Sequence, residues 1–138
     1  VDWIGLDGYN WGTTQPWSEW LSFAEIFGPA YTTITTIAPD KPLMIAEVNS
    51  TDQGGDKSAW YREMFTQQIP QRFPKIAAIV IFDEDKSEQE HINWRMDQTA
   101  LEAFKSAVNS EPYQLPFEEL FENITPPQSA SPSPTDDY

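Results

Sequence analysis

The stretch "PLMIAEVNS" sets one acid, Glu47, at the end of an oily run from Pro42 to Val48. An ionised carboxylate in a buried setting costs several kcal/mol unless it is paired or hydrogen-bonded. Glu47 is therefore either a strand-end acid facing solvent or a lysine or arginine, or a working nucleophile, base or charge stabiliser. Its surroundings favour work. Tyr9, Asn10 and Trp11 leave another apolar run, and a sugar ring, with its apolar face and hydroxyl rim, needs aromatic surface beside carboxylate and amide groups. Asp7 could be a second acid, but just before Gly8 its plainer use is to bond turn amides.

Other candidates read less sharply. Asp83, Glu84 and Asp85 are consecutive, so they point in alternating directions and lack the spacing of a calcium loop. A solvated loop is the better reading. His91 has no marked nucleophile beside it. Trp94 and Arg95 anchor the loop before the last helix, and Arg95 could pair with a nearby acid to hold it in place. In "DQGGDK" the glycines supply sharp turns, but their spacing is wrong for a phosphate cradle. Asn49-Ser50-Thr51 and Asn123-Ile124-Thr125 match the glycosylation sequon, and a glycan on Asn49 would crowd the proposed site.

Three elements must position these groups. Apolar runs begin at Trp3, Leu43 and Ala77, about forty and then about thirty-four residues apart. The first closes on Asp7 to Asn10, the second on Glu47 to Asn49, the third on Asp83 to Asp85. Near-continuous hydrophobicity predicts strands covered on both faces, as in a parallel sheet. Between and after them lie helical patterns: Trp17, Trp20, Leu21, Ala24, Phe27, Tyr31 and Ile34; then Trp60, Met64, Phe65 and Ile69; then Ala100, Leu101, Phe104 and Val108. Gly28-Pro29 is expected to break or kink the first. Ser22 with Glu25 and Thr99 with Glu102 have capping-box spacing, and only the second is expected to lie at a helix start. This βα repetition predicts an α/β fold, an eightfold barrel or an open doubly wound sheet, with the site at the carboxyl ends of the strands.

Composition narrows the partners. With 8 Lys and Arg against 22 Asp and Glu the formal charge is −14, a field that repels nucleic acid and anionic membranes and leaves neutral substrates. No cysteine and one histidine exclude thiolate and multi-histidine metal sites. No run is long enough to span a bilayer. The chain opens on Val1 directly into a buried-type segment, which suggests a domain cut from something longer. Residues 1–110 read as the body, 111–124 as an acidic, aromatic extension packing on it, and 125–138 as a disordered Pro/Ser-rich tail.

Together "VDWIGLDGYNWG", "KPLMIAEVNST…GGDKSAW" and "IAAIVIFDEDK…INWRMDQ" resemble the carboxy-terminal part of glycoside hydrolase family 26, which contains β-mannanases and related endoglucanases. The likeness runs from about Val1 to Phe104. It implies a partial (β/α)8 TIM barrel whose three parallel βα units correspond to strands six to eight. It further implies hydrolysis of β-1,4-linked mannan or a related β-glycan by a retaining mechanism. The family nucleophile falls on Glu47 and the tyrosine contacting it on Tyr9; Asp7, Gly8, Asn10, Trp11 and Gly12 match the flanking motif. Where the family has a Trp platform on strand eight, this chain has Ile81 followed by Phe82. That departure weakens mannan as substrate and leaves room for another glucan, with Ile81 and Phe82 as the cleft floor. The acid/base carboxyl, roughly 5 Å from the nucleophile in retaining enzymes, comes in the family from strand four, in an upstream barrel half. The resemblance thus implies a piece inactive alone, a polysaccharide or oligosaccharide partner, an extracellular or cell-envelope setting, and no metal or organic cofactor. A non-catalytic carbohydrate-binding barrel fragment is the alternative.

Overall fold

The computed structural model describes residues 1–110 and Tyr113. Three strands, β1 (Ile4–Asn10), β2 (Leu43–Ser50) and β3 (Ile76–Ile81), form one parallel sheet in the order β1-β2-β3. The helix α1 (Phe23–Ile37) connects the first two. The second crossover is α2 (Lys57–Glu63), a π-helical turn at Met64–Gln68 and the short α3 (Ile69–Arg72). A two-residue antiparallel pair, β4 (Asp85–Lys86) and β5 (Ile92–Asn93), brackets the short helix α4 (Ser87–Glu90). The helix α5 (Gln98–Val108) follows. The class is α/β with parallel strands, as the run pattern predicts. The extension 111–124, apart from Tyr113, and the tail 125–138 lie outside the described residues.

Strand limits differ from the apolar runs in an informative way. Asp7 to Asn10 and Glu47 to Ser50 belong to β1 and β2 rather than following them. The backbone stays extended because each residue finds a ladder partner in its neighbour: Tyr9 lies opposite Asn49, and Asn10 opposite Ser50. The expectation of two covered faces is also corrected. Leu6, Ile45, Val48, Ile79 and Ile81 pack with Phe23, Phe27, Tyr61 and Met64 in one core, whereas Gly5, Asp7, Glu47, Ala77 and Val80 are exposed. One face of the sheet is packed and the other is open. Beside β3 the packed side continues into an apolar groove of about 600 Å³, bordered by Phe65, Phe73, Ile79, Phe104 and Val108.

Helix boundaries correct the sequence reading too. The Ser22–Glu25 box is the working cap: Ser22 Oγ accepts from the Glu25 amide while Glu25 Oε2 accepts from the Ser22 amide at 2.8 Å. Trp17, Trp20 and Leu21 therefore precede α1. The third helix is capped by Asp97, whose carboxylate accepts from the Ala100 amide at 2.7 Å, and Thr99 lies inside it. Helix α1 also runs on through Pro29. Proline removes one intrahelical donor there, and both Gly28 and Pro29 keep their carbonyls bonded, to the Thr32 and Thr33 hydroxyls at 2.9 and 3.0 Å.

The strand count of β2 decides where its acid points. Leu6 pairs with Ile45 but Asp7 with Glu47, so Ala46 has no counterpart in β1. Against β3 the same surplus recurs, with Ile45 opposite Ile79 and Val48 opposite Ile81. A bulge of this kind resets the alternation of side chains. Without it Glu47 would follow Ile45 onto the packed face; with it, Val48 takes that place at full burial and Glu47 emerges on the open face.

Candidate active site at the strand exits

The open face brings Tyr9 and Glu47 together. Two residues along from Asp7, Tyr9 shares its face, and its hydroxyl donates to Glu47 Oε2. Oε1 of Glu47 has no partner among the described residues. Burial, then the hydrogen bond to Glu47, then the charges of Glu47, Asp7 and Glu90, raise the Tyr9 pKa well above the ordinary tyrosine value. Tyr9 therefore stays a neutral donor throughout the working pH range. A donor of fixed protonation held against one carboxylate oxygen directs the other outward, which is how a nucleophile is oriented.

Three aromatic rings hold Tyr9 in place. Trp94 lies 4.9 Å away and tilted, Phe82 5.7 Å away and nearly perpendicular, and Trp11 6.5 Å away edge-on. Trp94 also meets Trp11 at 5.2 Å. Such edge-to-face pairs add about 0.5–1.5 kcal/mol each beyond area burial, enough to fix a ring. Phe82 thus lies beside Tyr9. Ile81 does not join them: alternation turns its side chain to the packed face, where it contacts the core and borders the groove with Phe104.

Asn10 is likewise corrected. It is fully buried on the side away from Tyr9. Its Nδ2 donates to Ser50 Oγ at 2.9 Å, and its Oδ1 accepts from the Leu21 and Gly12 amides at 2.9 and 3.2 Å. It latches the loop after β1 and does not line a cleft. Asp7 sits mid-strand and exposed, with no side-chain hydrogen bond to a described residue, so it bonds no turn amides. Arg95 is exposed and makes no ion pair among the described residues. The anchoring expected of the Arg95 side chain is done by Lys57, its Nζ donating to the carbonyls of Trp94 and Arg95 at 2.9 Å each. Burial draws the Lys57 pKa below the ordinary lysine value, against the opposing charges of Asp52, Asp83 and Asp97. Asp83 accepts from the Met96 amide at 2.7 Å, and Asp85 bonds Ser87, so this acidic run serves its own loop.

Asn49 was legible only as a sequon. It is fully buried, and its amide ties four groups together. Nδ2 donates to the Phe82 and Trp94 carbonyls, while Oδ1 accepts from Tyr61 Oη at 2.7 Å and the Ser50 amide at 2.6 Å. The folded chain offers no room for a glycan there. The second sequon, at Asn123, lies outside the described residues. His91 is the exposed C-cap of α4, in a left-handed conformation. Among the described residues no three His, Cys, Asp or Glu side chains gather as a metal site, and no helix is long and apolar enough to cross a membrane.

The buried phenols make stability pH-dependent. Burial raises Tyr61, helped by the charge of Asp83, and raises Tyr113 to about 12. In the folded chain these groups and Tyr9 hold protons that the unfolded chain releases near 10.0. Their contribution is fully present below that value and disappears as pH climbs through the raised folded values. Denaturant midpoints should therefore fall above pH 10.0, and less steeply in Tyr61→Phe than in the parent. Equal slopes for the two proteins would contradict the assignment.

No protein-family model matches the chain. A search of curated proteins finds similarity to Endoglucanase H of Acetivibrio thermocellus, 38% identical over 141 aligned residues. That alignment takes in the whole of this chain and 15% of the relative's length.

Proposed function

We propose that this chain is the carboxy-terminal part of a retaining β-glycan hydrolase resembling glycoside hydrolase family 26, with Glu47 as nucleophile. The observation that carries the reading is the hydrogen bond from Tyr9 to Glu47 across neighbouring parallel strands, at the edge where α/β enzymes place their chemistry. The similarity to a protein named as an endoglucanase supports it. That name favours a β-glucan over a mannan.

In this mechanism Oε1 of Glu47 attacks the anomeric carbon as the glycosidic C–O bond breaks, giving a covalent glycosyl-enzyme ester. A second carboxyl roughly 5 Å away protonates the leaving oxygen and later deprotonates the water that releases the sugar. That carboxyl belongs to an upstream part of the polypeptide. Tyr9 fixes the orientation of Glu47, and Phe82 and Trp11 supply apolar surface beside it. The open face of the sheet and the groove beside β3 are the surfaces that further strands and helices of a closed barrel would cover.

The test uses the complete polypeptide. It should hydrolyse soluble β-glucan faster than mannan, and an activated 2-fluoroglucoside should label Glu47, read as a mass increment on its peptide. A label on another residue would remove Glu47 from the mechanism. Binding of glucan with neither hydrolysis nor label would favour the carbohydrate-binding alternative.

A further inference from the structure

Trp17 is 72% exposed, unusual for an indole, because tryptophan is among the residues most heavily buried on average. It does not hang from a loose loop. Ser18 Oγ donates to the Gly12 carbonyl at 2.7 Å, and Thr14 donates to the Trp11 carbonyl through its hydroxyl at 2.7 Å and its amide at 3.2 Å. The Thr13 amide donates to the Gln53 carbonyl at 3.1 Å, clasping the loop to the one after β2. Gly12 makes that clasp possible: its φ is +50°, and a Cβ there would stand 1.9 Å from the Gln53 oxygen. Asn10 secures both ends of the loop through Gly12 and Leu21.

The indole, carried on this clasped loop, ends an aromatic strip. Its ring lies 5.6 Å from Trp11, which touches Trp94 and Tyr9, and Tyr9 holds Glu47. We propose that Trp17 is a stacking platform for a sugar unit of a neutral β-linked glucan, remote from the cleavage point on the strand that Glu47 attacks. The inference rests on the glycan-hydrolase reading and names a binding position outside the reacting pair. Charge selects the class of ligand: a net charge of −14 disfavours anionic polymers and leaves a neutral glycan unopposed. The chemistry fits a pyranose, whose C–H face lies against the indole while Nε1–H donates to a hydroxyl. A loop already ordered loses little entropy on binding.

The test is affinity electrophoresis of the complete polypeptide carrying Glu47→Gln, so that the glycan in the gel is not consumed. Gels contain soluble mixed-linkage β-glucan, galactomannan or no glycan. Trp17→Ala should weaken retardation by β-glucan about tenfold, and Trp17→Phe, which keeps a flat ring, much less. Thermal unfolding of both variants should match the parent. Retardation equal to the parent in Trp17→Ala overturns the platform and leaves the hydrolase reading standing. A lowered Tm with unchanged retardation also overturns it, by showing the indole covered by other parts of the polypeptide. A parent protein retarded in neither glycan gel overturns both proposals.

Discussion

Glu47→Gln in the complete polypeptide should lower kcat on soluble β-glucan about 10⁶-fold, the scale seen when a covalent nucleophile is removed. KM should change little, because the amide keeps the volume of the acid and remains within reach of Tyr9. Tyr9→Phe should act on the same step more gently. A hydrogen bond to a charged group contributes about 1.5–3 kcal/mol, so losing it should slow turnover about ten- to a hundredfold. In the double variant the Tyr9 effect should vanish, since the hydroxyl acts only through Glu47. Initial rates from reducing-end release measure all three. A Glu47→Gln protein that keeps a tenth of parental activity would refute the nucleophile assignment.

Asn49→Leu should produce the largest loss of stability, about 4 kcal/mol in denaturant unfolding of the complete polypeptide. The substitution strands a buried Tyr61 hydroxyl, the Ser50 amide and the Phe82 carbonyl in one stroke, and leaves the Trp94 carbonyl to Lys57 alone. Each such orphan costs about 1–3 kcal/mol, and relaxation of the surroundings keeps the sum below the total. Tyr61→Phe removes one of the four bonds and should cost about a quarter as much. The Asn49 change should reach function too, because Trp94 supports Tyr9. A loss below about 1 kcal/mol would mean that the amide's bonds contribute no more than an ordinary exchange with water.

How much of this was legible in the residues depends on the range of the interaction. Parallel strands were, because apolar runs of strand length report burial directly, and the acid at the second exit stood out against its oily flank. The partnership of Tyr9 with Glu47 came from the motif resemblance; spacing alone could only place both at strand exits. Asn10 misled because an amide at a strand exit serves a sugar or a buried hydroxyl and backbone amides with the same donors and acceptor. Only the face it points to decides, and alternation along β1 sets Asn10 on the side opposite Tyr9. The first cap was misjudged because Trp17, Trp20 and Leu21 continue the helical period upstream of Ser22, although the chain there forms a loop. Trp94 reaches Tyr9 across a long stretch of sequence, and no local pattern reports such a contact.

The surplus residue at Ala46 has a consequence for how this chemistry can be altered or inherited. The aim of the carboxylate is governed by its place in the backbone ladder, independent of which amino acids flank it. Point substitutions, however numerous, leave that ladder alone and so leave the reactive group facing outward. Even deletion of Ala46 would leave Ile45, Glu47 and Val48 as consecutive ladder residues, with Glu47 still outward and Val48 still inward; what it would erase is the local kink that sets the carboxylate's position along the strand.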